Sequence, residues 1–318
     1  MKNPFDESFW LEKVDALVAE AGDMRPLYPR PEAAPTLRLG GKRVRARLLL
    51  RTAHVLGSLD EAAVILAAAI EMVHNASLFH DDVIDQAQKR RGGPALHTEA
   101  GSRQAVMTGD VCFAKGMELI CRVNIEPVYH AVSRAVVDLA SGQLAEAAHW
   151  GDRSLTLDRY FFIVDRKTGA LLSLCLELPG ILAGPSDEKL SHLGHAGRLL
   201  GRLFQVADDM LDLAESSDQT GKDPFRDLAQ GRLTFPYLLL LREGTEADQQ
   251  TLLDALGNGD SAREQIRELV RANGLQAKVE KYLADMLAEV REILVATLGE
   301  APAADLLEYC ESLAYRKK

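Results

Sequence analysis

The stretch HDDVIDQAQKRRG, residues 80–92, sets three carboxylates, Asp81, Asp82 and Asp85, just ahead of three bases, Lys89, Arg90 and Arg91. A second acidic pentapeptide, DDMLD, occupies residues 208–212. Both have the form D-D-x-x-D, and both follow mostly apolar residues, ASLFH before Asp81 and LFQVA before Asp208. On a helix, the first and last Asp of each motif lie at i and i+4, on one face, and the middle Asp is rotated about 100° away. One such cluster alone is commonly a solvated helix surface. Two of them, each ending an apolar stretch, read as carboxylates presented at the edge of a buried face. Facing carboxylates repel unless cations lie between them. Hard oxygen ligands that leave room for water and phosphate suit Mg²⁺. The twelve-residue ligand pattern of a calcium loop is absent.

Bases recur at intervals along the chain. GGKRVR (40–45) supplies Lys42, Arg43 and Arg45 where a helix begins. Lys167, followed by Thr168, lies in an apolar run, and Lys222 and Arg232 stand in polar, Gly-containing segments. Each of these has an alternative reading as a surface charge. As a set they read as phosphate binders, because two diphosphates carry more negative charge than metals on one side could neutralise.

Helices must position these groups. Apolar residues recur with helical period along nearly the whole chain. FWLEKVDALVAEAG predicts a first helix, and VRARLLLRTAHVLG a second, after the turn at Gly40–Gly41. Asp60 can cap a long third helix running through EAAVILAAAIEMVHNASLFHDDVIDQA. Breakers follow at GGP (92–94), GDR (151–153), PG (179–180), GPSD (184–187) and ANG (272–274). The polar stretch from Ser216 to Pro236 predicts a loop. No strand alternation and no domain-separating linker is evident.

The bulk numbers agree. The chain has 318 residues, of which 47% are hydrophobic and only 6% aromatic, a balance that favours helix over strand. A net charge of −10 argues against a nucleic-acid partner. Cys112, Cys121, Cys175 and Cys310 form no CxxC pair and read as reduced thiols of a cytoplasmic protein. The N-terminus lacks the apolar stretch of a signal peptide, and the longest uncharged apolar run, AAVILAAAI, is too short to span a bilayer.

With these residues in place, the sequence resembles the trans-isoprenyl diphosphate synthases, or polyprenyl synthetases. The resemblance runs, in order, through GGKRVR, DDVID with RRG, GD (109–110), KT (167–168), FQVADDMLD, GKDPFRDL and GRLTFP. It implies an all-α fold, one domain over 1–318 whose helices surround a deep central cavity, and a homodimer. It implies Mg²⁺-dependent condensation of isopentenyl diphosphate with an allylic diphosphate by successive head-to-tail trans additions. Asp81 and Asp85 would hold Mg²⁺ on the allylic diphosphate with Asp82 in support. Asp208, assisted by Asp212, would bind a third ion. Arg90, Lys167 and Lys222 would grip the allylic diphosphate, and Lys42, Arg45, His74 and Arg91 would hold isopentenyl diphosphate. Thr168, Phe204 and Gln205 would line the reacting carbons, with Gln143 on the same wall. Phe225 and Arg226 depart from the family's usual Gly-Asn, and Arg232 replaces a usual Lys.

Product length is a separate question. One turn before Asp81 stand Ala76 and Ser77, both small, where bulky aromatics in the family form a floor. Farther along come Val73, Ile70 and Ala69. A helix turn, about 5.4 Å, is close to one isoprene unit, so these side chains could act as a length gauge. Small residues here also serve tight helix packing, and a stop could instead lie near Met117. The open floor implies a long-chain product. A farnesyl or geranylgeranyl diphosphate synthase, a terpene cyclase and a non-catalytic subunit of a heteromeric synthase are the competing readings.

Overall fold

A computed structural model describes residues 5–35, 37–184, 186–213 and 225–315. The described residues are mostly helical, as the all-α expectation has it. Lys222 lies outside them. The chain divides into two units, Met1–Ser133 with Leu174–Ser191, and Arg134–Ser173 with His192–Lys318.

The first unit begins with α1 (Glu7–Ala21), whose first turn is capped by the Asp6 carboxylate accepting from the Phe9 amide at 3.1 Å. Helix α2 (Val44–Leu56) ends at Gly57 in the left-handed conformation that closes a helix. Helix α3 (Glu61–Ile84) starts, as expected, at Asp60, which accepts from the Ala63 amide at 3.0 Å. It ends at Asp85, earlier than its apolar pattern suggested. Residues 63 to 73 of α3 are all buried, so this stretch is enclosed on every side. By length and composition alone α3 is apolar enough to cross a membrane, a test that the buried core helix of a globular protein also passes. Its apolar window is mostly buried within the protein, against α1, α2 and later α5.

A hairpin of two short strands, β1 (Lys89–Arg90) and β2 (Gly93–Pro94), follows, where no strand was expected. Arg91 (φ 51°) and Gly92 (φ 76°) form its two-residue loop, and two positive φ values match the twist of a tight hairpin. Two-residue strands are too short to show alternation, which is why the pattern missed them. Helices α4 (Leu96–Ala100) and α5 (Ser102–Val123) come next, and α5 packs along α3.

Helix α6 (Glu126–Ala148) leads to α7 (Leu157–Val164), capped by Thr156. A single π-helical turn, Asp165–Gly169, joins α7 to α8 (Ala170–Ala183). Pro179 lies inside α8 rather than breaking it. Its carbonyl accepts from the Ser58 hydroxyl at 2.9 Å. Helix α9 (Asp187–Leu211) carries the second acidic motif at its end. The expected loop contains the short helix α10 (Arg226–Ala229), and α11 (Phe235–Glu243) already begins at its end. Helices α12 (Glu246–Ala255), α13 (Gly259–Ala272), α14 (Leu275–Leu298) and α15 (Glu300–Ala314) complete the second unit. Its core joins Tyr160 and Val164 of α7, Leu203 and Val206 of α9, Phe225, Phe235 and Val279.

Candidate active site

In the first unit, α3 delivers Asp81, Asp82 and Asp85 together. The i and i+4 pair is partly exposed, whereas Asp82 is 2% exposed. A carboxylate so buried needs partners. Asp82 has them in the Arg90 guanidinium, whose Nε donates to its Oδ1 at 2.9 Å and whose second nitrogen also donates there. The middle Asp thus anchors the hairpin, and the hairpin brings the bases beside the helix end.

Next along the hairpin loop, Arg91 donates to Asn75 Oδ1 at 2.7 Å and to the Arg38 carbonyl at 2.5 Å. A Cβ on Gly41 would stand 3.4 Å from Arg91 Nε, so GGKRVR and RRG adjoin. Arg43 (φ 51°) precedes α2 and donates to Asp15 at 2.6 Å and to the Leu39 carbonyl at 2.6 Å. It also lies 3.5 Å from buried Glu71, which accepts from the Ala46 amide at 3.1 Å. Arg45 is buried and Lys42 exposed. His74 sits among these groups. Burial first, then the charges of Arg45, Arg91, Arg90 and Arg43, hold its imidazole well below the usual 6.5. It is therefore neutral at pH 7, a hydrogen-bonding group within a strongly positive surround.

The pair Gly109–Asp110 also has a use. His80 Nε2 lies 3.1 Å from the Val106 carbonyl and 3.4 Å from Asp110. A Cβ at Gly109 would collide with that imidazole. Of the proposed length gauge, Val73 and Ala76 are buried, and Ser77 donates to the His74 carbonyl at 2.8 Å. Gly116 of α5 packs on the Val73 and Ala69 side of α3, and a Cβ there would lie 3.2 Å from each. Met117 follows it, partly buried.

The second unit repeats the acidic arrangement. Asp208 is exposed and Asp212 partly buried, while Asp209 is 4% exposed. Asp209 accepts from the Tyr160 hydroxyl at 2.6 Å, the Gln205 amide nitrogen at 2.9 Å and the Phe235 backbone at 3.0 Å. Burial pushes its carboxyl up to about 7, although the three hydrogen bonds favour the charged form. Burial and the Asp209 charge raise the Tyr160 phenol well above 10, which keeps it a donor. Asp212 accepts from Tyr237 at 3.4 Å and from the Asp227 amide at 3.3 Å.

Lys167 and Thr168 lie on the π turn, a device that inserts one residue into a helix and re-aims its neighbours. Lys167 pairs with Glu146 of α6. Gly142, beside Gln143, lets α6 approach, since a Cβ there would stand 2.5 Å from the Lys167 amide nitrogen. Thr168 is buried and donates to Gln205 Oε1 at 3.2 Å. Phe204 and Gln205 are partly buried on α9. The Arg232 guanidinium stacks 4.6 Å from the Trp150 ring centre, and Trp150 Nε1 donates to the Gln230 carbonyl at 3.0 Å. A guanidinium stacks on an indole where an ammonium makes only a point contact, which gives the Lys-to-Arg change a physical basis. Phe225 holds φ 59° in the place of the usual Gly and is 2% exposed.

The sequence reading missed Glu71, Asn75, Asp209, Tyr160, Glu146 and Trp150, each of which holds a predicted residue or its helix. Glu71 and Asn75 had a signal: polar residues inside an otherwise apolar helix must be paired. Among the described residues, no three carboxylate, imidazole or thiol groups converge into a closed metal cage. Open pairs of carboxylates at helix ends fit Mg²⁺, which keeps several waters and shares its remaining positions with phosphate oxygens.

The sequence profile described as Polyprenyl synthetase matches residues 32–273. The chain is 34% identical over 280 residues to a nonaprenyl diphosphate synthase of Mycobacterium tuberculosis, covering 86% of this chain and 83% of that protein. It is 32% identical over 225 residues to a short chain isoprenyl diphosphate synthase of Methanothermobacter thermautotrophicus, covering 70% and 69%. Among solved structures it is similar to a polyprenyl synthase from Caulobacter crescentus CB15 complexed with calcium and isoprenyl diphosphate. That likeness has a TM-score of 0.87 at 28% identity and covers 98% of this chain and 96% of the other. A profile that spans both acidic motifs, with relatives aligned over most of the chain, places this protein in the polyprenyl synthetase family.

Proposed function

We propose that the chain is a trans-prenyltransferase that condenses isopentenyl diphosphate with an allylic diphosphate, repeatedly, to a long-chain polyprenyl diphosphate. The observation that carries this is the gathering of Arg43, Arg45, Arg90 and Arg91 round His74, on the helix that ends in Asp81 and Asp85. Anion and cation sites on one helix suit a metal–diphosphate substrate. Asp81, Asp85, Asp208 and Asp212 would hold Mg²⁺, three ions in this reading, which when bound would supply the positive charge that a departing diphosphate needs.

Arg90, Lys167 and Lys222 grip the allylic diphosphate, with Arg232 a further phosphate binder. Lys42, Arg45, Arg91 and neutral His74 orient isopentenyl diphosphate. A unit-charge pair at about 4 Å contributes roughly 4 kcal/mol at an effective dielectric of about 20, so single bases assist the departure and do not drive it alone. The allylic cation left behind must be kept from water. Thr168 and Gln205 turn uncharged dipoles toward it, and Phe204 a ring face. The double bond of isopentenyl diphosphate attacks, and the departing diphosphate takes the proton. The two units act as one domain over 1–318, in a cytoplasmic homodimer.

Ala76 and Ser77 are small at the positions where bulky aromatics would form a floor, which favours products of roughly thirty carbons or more. The similarity to a short chain synthase favours the second reading, a farnesyl or geranylgeranyl product. Incubation with labelled isopentenyl diphosphate, several allylic primers and Mg²⁺, followed by sizing of the lipid, tests both. Long polyprenyl products are expected. Farnesyl or geranylgeranyl products select the second reading, and no incorporation at all ends both.

A further inference from the structure

The Gln205 side chain has one orientation that satisfies its neighbours, and a buried carboxylate dictates it. Its amide nitrogen donates to Asp209 Oδ1 at 2.9 Å. Its carbonyl oxygen, at the other end of the same planar group, therefore turns to Thr168, whose hydroxyl donates to it at 3.2 Å. Asp209 cannot rotate away. Its other oxygen, Oδ2, is held by the Tyr160 hydroxyl at 2.6 Å and by the Phe235 backbone at 3.0 Å. A backbone N–H only donates, so an oxygen must occupy the Oδ2 position. With Oδ2 held by two donors, the ionised carboxylate meets Gln205 through Oδ1, which only accepts, so Gln205 turns its NH₂ end to it.

We propose that Asp209 is a positioning residue: it fixes the Gln205 amide so that the carbonyl oxygen, and not the NH₂ group, faces Thr168 and the reacting carbons. The proposal rests on the prenyl-transfer reading above. An oxygen dipole turned toward a developing carbocation stabilises it, and an amide NH₂ in the same place opposes it. The middle Asp of the second motif thus serves the organic half of the reaction, while its neighbours Asp208 and Asp212 serve the diphosphate half.

The geometry makes a specific prediction for Asp209→Asn. The Phe235 N–H keeps an oxygen at the Oδ2 position, so the new NH₂ group falls at the Oδ1 position, facing Gln205. Gln205 must then flip and present NH₂ toward Thr168. In that background Gln205→Glu restores order, because a carboxylate accepts from the introduced NH₂ group with one oxygen and offers the other to Thr168. Four proteins are compared with isopentenyl diphosphate, an allylic primer and Mg²⁺: wild type, D209N, Q205E and the double variant. Folding is checked by thermal melting.

The expected result is a kcat loss of about a hundredfold in D209N, the scale of one misplaced preorganised dipole, with KM for both diphosphates within about threefold of wild type. More primer should be lost to the solvolysis alcohol. Q205E alone sets two carboxylates against each other and should lose kcat as well. The double variant should recover at least about tenfold over either single change, since the two sites act as a unit. Tyr160→Phe leaves the Phe235 bond in place and should stay within about threefold of wild type. Losses that simply multiply in the double variant, or a D209N defect confined to KM and Mg²⁺ requirement, would overturn the proposal. If D209N does not fold, unchanged kcat in Q205E overturns it. An inactive wild type defeats the prenyl-transfer reading and this proposal with it, whereas an active wild type without rescue defeats this proposal alone.

Discussion

Asp82 and Asp209 hold the same place in two pentapeptides, and both turn inward. Their neighbours at the motif ends are more exposed in both cases, so the repeated spelling D-D-x-x-D encodes two jobs. Asp82 fixes the Arg90 hairpin, and Asp209 fixes Gln205. In the proposed function the end positions hold the metal. Asp81→Ala should lower kcat by at least about a hundredfold while leaving the melting temperature nearly unchanged, because a partly exposed carboxylate adds little to folding. Steady-state kinetics with a melting curve would check this, and a normal kcat would remove Asp81 from the metal site. His74 makes a prediction about acid. Its imidazole is held well below 6.5 in the folded chain, so below pH 6.5 the unfolded chain binds a proton that the folded chain refuses. Stability should therefore fall as pH drops through that value, by at most about 1.4 kcal/mol per pH unit from this group. Urea midpoints at pH 8 and 5.5 should diverge less in His74→Asn than in wild type.

The helices were legible because apolar residues repeat with helical period and because caps such as Asp60 sit where the pattern begins. Three features escaped that logic. The hairpin is too short for alternation, and its Arg91–Gly92 loop depends on φ values rather than on residue pattern. Pro179 sits inside α8 although prolines usually end helices; helix packing outweighs propensity there. The acidic motifs were legible, but Arg90, 8 positions from Asp82, and Tyr160, 49 positions from Asp209, are partners that no local pattern reveals. Phe225 is instructive at this scale. A non-glycine residue at φ 59° costs about 1–2 kcal/mol, yet burying a phenylalanine contributes about 3–5 kcal/mol. Burial wins, so Phe225→Gly should relax the backbone and still destabilise the protein by about 2–3 kcal/mol. Chemical denaturation would measure this, and a stabilised variant would show that backbone strain dominates.

For the whole molecule, the net charge of −10 hides a local reversal, with arginines concentrated round His74. Composition alone argued against a nucleic-acid partner but could not locate an anion site. In the proposed function, product length depends on every side chain that the growing lipid meets. Ala76→Phe places a ring on α3 one turn before Asp81 and should shorten the lipid by several isoprene units in chromatography; unchanged length would move the stop elsewhere, with the α5 residues round Met117 the next to test. The stack of Arg232 on Trp150 carries a consequence of another kind. The chain has only two tryptophans, and Trp10 lies on α1, outside both acidic motifs. If diphosphate draws the Arg232 guanidinium off the indole, the emission of Trp150 should change with ligand concentration, and Trp150→Phe should abolish the signal. Such a response would give the protein its own optical reporter, able to time the arrival of substrate without any added label.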